Sequence, residues 1–454
     1  MKQTHQTSHI INVIVFCGLL LSGGIASMML KKETVSVMEN RKLASFPVYS
    51  EKTLWSGEYF RSIEEYYADN FPFREIWIDI SEKFRNRLGF QNSEIKIYNP
   101  VNDAEANEKK DTIRNGNLSS QENAKGEIKK QVFVFKNRVF EMFRGSPALG
   151  KSYANVINSY SRLLSDDGIQ VYNLIIPVAL EFEITEKYAH LQSPNRPAIE
   201  NIYSNEDENI KKVWAIDSLK NHKKEYIYFN TDHHWTSLGA YYAYKAFCEV
   251  AKTTPVSLDG VPSKVKPKFF GSLYRLTRDE SLEKNPDSVR YYLFPEPGNF
   301  YVGDAANGKW YKSKMYGEAV TGPNSYSVFL QGDLPIVKME TEHKNGRKIA
   351  VVKESYGNAF APFLVNNYEK VIVVDQRYYT GDFIAMLKKE GINELLFINN
   401  IFAAHTPLHI DKIKELKDFP KKELPLKEQT LKKEPAVKNL PAKILTKADS
   451  ATVE

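Results

Sequence analysis

Apolar positions fall into distinct patterns along the chain, and each pattern predicts an element. Val171-Tyr172-Asn173-Leu174-Ile175-Ile176, closed by Pro177, is the short apolar run expected of a strand covered on both faces. Ile349–Val352 within Lys348–Lys353, then Val371–Asp375 and Leu395–Asn399, repeat that signature. Helical spacing predicts helices over Tyr153–Leu164, Thr236–Ala251 and Asp382–Glu390, with Thr236 as an N-cap and Gly391 ending the last. Gln131–Phe143 alternates and is rich in Val and Phe, so it reads as a hairpin. Strands alternating with helices predict an α/β domain: three layers, α/β/α, around a mostly parallel sheet.

The regions outside this rhythm are also legible. Residues 33–50 read as an extended segment. Residues 57–88 read as helical, with Phe60, Ile63, Tyr67, Ile76, Ile80 and Phe84 at helical spacing and a break at Pro72. Residues 101–129 are polar and are expected to form a mobile loop. Residues 254–345 are rich in Tyr, Gly and Pro and are expected to be an insertion or mixed subregion. From Asp411 the chain is Lys-rich and broken by Pro420, Pro425, Pro435 and Pro441, which predicts a disordered tail over 411–454.

Ile10–Leu30 carries no charged residue, and Lys31 and Lys32 follow it. Its length suits a membrane helix. Its apolar core, with Gly24-Ile25-Ala26 behind, equally suits a cleaved signal peptide. Either reading of residues 1–32 puts the body, 33–410, on the extracytoplasmic face of the membrane or outside the cell.

Composition narrows the partners. The 454 residues carry 62 Lys and Arg against 56 Asp and Glu, a net charge of +6. The last 44 residues hold 11 Lys against 8 acids, half of that excess. A body so close to balance gives no nucleic-acid field. Cys17 and Cys248 are the two cysteines, too few for a disulfide framework or a thiolate zinc site.

Two stretches could carry chemistry. One is Asn230-Thr231-Asp232-His233-His234-Trp235-Thr236, just before a helix. The other is Lys353-Glu354-Ser355-Tyr356-Gly357-Asn358, directly after an apolar strand. In a parallel sheet, ligands gather beyond the carboxyl ends of the strands, where Ser355 lies. Gly357 leaves room for a substrate there, and Asn358 offers an amide to a developing oxyanion. The hydroxyl needs a base, and the base needs a carboxylate to fix its tautomer. In an extended loop Asp232 and His234 project to one side and His233 to the other, which favours His234 as the base. A metal held by Asp232, His233 and His234 is the competing reading. It is disfavoured because adjacent histidines rarely reach one ion together. Residues that only cap and pack are the third. No cofactor is implied.

Asp232-His233-His234-Trp235 resembles the signature of the DHHW proteins, a bacterial family named for that tetrad. Glu39-Asn40-Arg41 with Phe46-Pro47, Tyr66–Arg74, Ser355–Asn358 with Pro362-Phe363, and Asp375-Gln376-Arg377-Tyr378-Tyr379 fit the same resemblance. Such proteins are similar to the SGNH-hydrolase-like domains of alginate O-acetylation proteins, in which Asp-x-His-Trp precedes the nucleophilic Ser. The resemblance implies Asp232 as orienter, His234 as base and Ser355 as nucleophile. Asn358, Arg377, His233, Trp235 and Tyr356 would line the substrate or oxyanion site. Glu354 departs from the Asp common before the Ser. Arg377 would hold an anionic or sugar substrate, or else form a surface ion pair. The implied function is an extracytoplasmic O-acetyltransferase or esterase acting on a cell-surface polysaccharide, with an acyl-donor membrane protein as an implied partner. The alternative is a non-catalytic polysaccharide-binding or assembly protein on the same fold. Aromatic residues between Trp310 and Tyr326 suit carbohydrate stacking in either case.

Overall fold

The computed structural model describes residues 41–77, 131–294, 298–304 and 308–418, with short stretches at 15–18, 35–36, 80–81, 84 and 95–98. Most of residues 1–32, the polar stretch 101–129 and residues 419–454 lie outside the described residues. Among the described residues no helix is long and apolar enough to cross a membrane.

An eight-stranded sheet organises the body. Its strands are β1 (Gln170–Ile176), β2 (Lys211–Val213), β3 (Asn299–Asp304), β4 (Lys309–Ser313), β5 (Ile336–Glu340), β6 (Lys348–Lys353), β7 (Lys370–Asp375) and β8 (Glu394–Asn400). They lie in the order β4-β3-β5-β7-β6-β8-β1-β2. The five strands β7-β6-β8-β1-β2 are parallel. β5, β3 and β4 continue the sheet with antiparallel pairings. The fold is thus mixed α/β with a large, mostly parallel sheet.

Side-chain alternation explains why these apolar runs are strands. Ile349, Val351, Val371, Val373, Leu396 and Ile398 face one core cluster. Ala350, Val352, Ile372, Val374, Leu395 and Phe397 face another. A strand buried on both faces needs apolar side chains at every position, hence the unbroken runs. The second face is covered by α1 (Pro147–Leu163), α2 (Asn195–Ser204), α5 (Phe383–Glu390) and α6 (Pro407–Lys417). The first is covered by α3 (Ser237–Val250) and the short α4 (Gly357–Phe360). Thr236 caps α3, its hydroxyl accepting from the Gly239 N–H, and Gly391 ends α5 at φ +66°.

Three regions differ from the sequence expectation. Residues 254–345 do not stand apart: they supply β3, β4 and β5 to the main sheet and a second antiparallel pair, Ser263–Phe269 with Asp287–Tyr292. The hairpin Val132–Phe135/Arg138–Glu141 gains a third strand, Ile95–Tyr98, too short to stand out from its polar surroundings. The chain stays ordered past Asp411, through α6, because Ile410, Ile413 and Leu416 form a buried stripe among the lysines. The Tyr160 hydroxyl donates to the Ile413 carbonyl at 2.6 Å.

Candidate active site

The tetrad sits on a tight reversal. Thr236 N–H donates to the Ile227 carbonyl, and Phe229 N–H to the His234 carbonyl, so Asn230–His233 form its tip. Asp287 pins that tip: its carboxylate accepts the Asn230 and Thr231 N–H groups, each at 2.7 Å, the Thr231 hydroxyl at 2.5 Å, and the Tyr226 hydroxyl. Asp232 Oδ1 accepts the His234 N–H at 3.0 Å, an Asx turn that fixes the following residues.

Ser355 sits in the turn between β6 and α4, at the carboxyl edge of the parallel strands. The turn is closed by Gly357 N–H to the Glu354 carbonyl and Asn358 N–H to the Ser355 carbonyl. A Cβ on Gly357 would lie 2.5 Å from the Lys353 Cβ. Glycine there admits the Lys353 stem rather than a substrate, correcting the sequence expectation.

The two stretches meet. His234 Nε2 lies 2.7 Å from Ser355 Oγ, and His234 Nδ1 lies 2.5 Å from Asp232 Oδ1. Asp232 is acceptor-only when ionised, so Nδ1 carries the proton and Nε2 is free to accept from the Ser355 hydroxyl. The other carboxylate oxygen of Asp232 accepts the Ser272 N–H at 2.7 Å. Burial opposes ionisation of Asp232. Electrostatic attraction to His234 and His233 and the hydrogen bonds from His234 and Ser272 outweigh it and hold the carboxyl well below its ordinary range.

Several expected site residues do other work. The His233 ring does not point away from His234: the ring centroids are 3.8 Å apart, because the segment is a turn and not an extended strand. His233 Nδ1 is 2.6 Å from Ser272 Oγ. Trp235 is wholly buried, its Nε1–H donating to the Tyr356 carbonyl at 3.0 Å. Tyr356 is equally buried, its hydroxyl donating to the His233 carbonyl. These two rings tie the tetrad to the serine turn and do not face a substrate.

Asn358 and Arg377 are also engaged within the protein. The Asn358 amide donates to Asp333 at 2.8 Å and so is not aimed at Ser355. Arg377 grips Asp375 with two hydrogen bonds of 2.9 and 2.7 Å and reaches Asp333 at 3.0 Å. Lys353 Nζ meets Asp375 at 2.7 Å. Two cations and two carboxylates thus balance under the serine turn, and of the two arginine roles foreseen from sequence the ion pair is the one these contacts match. Burial disfavours the Asp375 charge, but Lys353 and Arg377 hold its pKa at about 2.

Three contributors were not foreseen, and a fourth, Glu354, was noted from sequence without a role. Tyr326 stacks on His234 at 3.9 Å between centroids and 11° between planes, and its hydroxyl donates to the Ser355 carbonyl at 3.1 Å. Ser272 and Asp287 position the tetrad as described. Glu354 is buried: Oε1 accepts the Asn400 N–H at 3.0 Å, Oε2 accepts the Tyr356 N–H at 3.1 Å, and Oε2 lies 3.3 Å from Ser355 Oγ. Burial pushes its pKa up. Nothing in the spacing pointed to Tyr326, Ser272 or Asp287, since each acts across a long loop.

Asp232, His233 and His234 offer ligand atoms within 4.8 Å of one another. Each ring nitrogen named above already has a protein partner, so an ion there would displace the Ser355, Asp232 or Ser272 contact.

The family model for DHHW protein matches residues 89–374. The chain belongs to the DHHW family. A DHHW family protein from Eubacterium siraeum is 31% identical, covering 63% of this chain and 95% of its own, with a TM-score of 0.57. Bacillus cereus PatB1, whose structure carries a sulfonyl adduct, is 17% identical over 62% of this chain and 98% of its own, at TM-score 0.53. The O-acetyltransferase domain of Pseudomonas putida AlgJ is 13% identical over 62% of this chain and 96% of its own, at TM-score 0.37. No curated protein matches the chain.

Proposed function

We propose that this DHHW protein is an SGNH-type acyl-ester transferase or esterase that works outside the cytoplasmic membrane on a cell-surface polysaccharide. The observation that carries the reading is the continuous Asp232–His234–Ser355 hydrogen-bond chain, with its 2.5 and 2.7 Å links. It has the roles a serine nucleophile requires: hydroxyl, base, and a buried carboxylate that fixes the tautomer.

In the proposed reaction Ser355 Oγ attacks an acyl carbonyl and its proton passes to His234 Nε2. The imidazolium is stabilised by Asp232, kept ionised as described. Collapse breaks the ester bond, and His234 returns the proton to the leaving alcohol. A sugar hydroxyl then attacks the acyl-Ser355, giving its proton to His234, and Ser355 leaves with that proton. Water in place of the sugar makes the same steps a hydrolysis. Tyr326, flat against His234, restricts the ring to the plane that serves both Asp232 and Ser355.

The extracytoplasmic setting rests on the uncharged stretch Ile10–Leu30. One observation favours the non-catalytic alternative: the Asn358 amide is engaged by Asp333 and so unavailable to an oxyanion. Labelling with a sulfonyl fluoride separates the readings. A sulfonyl adduct on Ser355, lost in His234→Ala, is the expected outcome; an unlabelled Ser355 favours the binding protein.

A further inference from the structure

A cavity of about 540 Å³ opens beside the segment that leads into the Asp232 turn. That is a usual volume for a small-ligand pocket. Asn230 in its lining precedes Asp232 by two residues, so their Cα atoms are at most about 7 Å apart.

Part of the wall is aromatic. Tyr226 is 41% exposed and Phe182 is half-buried, while Tyr228 lies behind them in the core. Both tyrosine hydroxyls are taken, Tyr228 by the Pro177 carbonyl and Tyr226 by Asp287. What Tyr226 and Phe182 offer a ligand is therefore ring surface.

The polar groups are of both kinds. Arg138 pairs with Glu183 at 2.7 Å, yet its Nε–H is buried and has no partner. Lys223 and Lys224 line the same cavity, as does Glu225, which spends one oxygen on the Tyr242 hydroxyl at 2.8 Å. A lipid chain would not be matched by so many charges. Aromatic surface beside interspersed donors and acceptors matches a pyranose, which presents apolar C–H faces and a rim of hydroxyls.

We propose that this cavity is a saccharide subsite, holding one sugar unit of the polymer on which Ser355 acts. This rests on the acyl-transfer reading for its purpose, but not for its test. The test uses full-length Ser355→Ala protein, which cannot turn over. Saturation-transfer NMR is recorded with chitotetraose, cellotetraose and tetragalacturonate as probes. At least one should bind, and Asn230→Ala and the double variant Lys223→Ala/Lys224→Ala should each weaken it about tenfold. Tyr311→Ala, at an exposed tyrosine in the Trp310–Tyr326 stretch, should leave binding unchanged. Melting curves establish that each variant is folded. Absence of binding by all three probes, undiminished binding in the pocket variants, or loss of binding in Tyr311→Ala overturns the proposal. Sulfonyl labelling of wild-type Ser355 is scored separately, so the subsite and the nucleophile can fail independently.

Discussion

Gly271 gives a sharp test of how Asp232 is held. Its φ is −81°, so no conformational demand selects glycine there; space does. A Cβ at 271 would lie 2.2 Å from Asp232 Cβ, 2.4 Å from Oδ2 and 2.6 Å from Cγ. Ordinary contact begins near 3.4 Å, so Gly271→Ala must push the two segments apart by about 1 Å. Overpacking of that size costs about 1–3 kcal/mol of stability. The same shift pulls Asp232 from the Ser272 N–H and from His234, and a misplacement of about 1 Å costs roughly 100-fold in rate. The assay is hydrolysis of p-nitrophenyl acetate, with thermal melts in parallel. Because the rate is lost through the carboxylate, Gly271→Ala should cost almost nothing further in rate in an Asp232→Ala background, where the Cβ clash and its stability cost remain. A Gly271→Ala enzyme with full activity, or an undiminished rate penalty in the Asp232→Ala background, would refute the reasoning.

Three further outcomes are expected. On the same ester, Ser355→Ala and His234→Ala should be the most damaging, Asp232→Asn next through the wrong tautomer, and His233→Ala, which loses the Ser272 contact, the least. Lys353→Met leaves Asp375 buried with half its cationic support and should destabilise the fold by about 3–5 kcal/mol by urea denaturation, whereas an exposed pair such as Lys264–Glu318 should contribute almost nothing. Burial raises the Glu206 carboxyl to about 7, so the native state holds a proton that the unfolded chain releases near 4.5. Its stabilising effect is complete below pH 4.5 and is lost as pH rises through 7. Glu206→Gln should therefore stabilise the protein at pH 8, by up to about 3 kcal/mol, and leave it nearly unchanged at pH 4; equal effects at both pH values would contradict this.

What the sequence revealed and what it hid follow from the range of the interactions. The strands carrying Ile349–Val352 and Val371–Val374 were legible because burial on both faces demands apolar side chains throughout. Asp232, His234 and Ser355 were legible as a chemical set, since a serine nucleophile needs those partners. The direction of the His233 ring was not, because the Asx turn at Asp232 replaces strand alternation with a local bend. Trp235 and Tyr356 looked like ligand-facing aromatics, yet each spends its one polar atom crossing from the tetrad to the serine turn. Asn358 looked available because its partner, Asp333, lies in a loop that no periodicity marks. Tyr326 and Asp287 were invisible for the same reason: their contacts to Ser355 and Thr231 span 29 and 56 residues.

The claim that Ser355 is an activated nucleophile has one direct measurement. Purified full-length protein is incubated with p-nitrophenyl acetate, quenched in acid, and analysed by peptide mass spectrometry. The account predicts a single acetyl group on the peptide carrying Ser355, absent from Ser355→Ala and strongly reduced in His234→Ala. An acetyl group confined to other residues, or equal acetylation of Ser355 with and without His234, would contradict it.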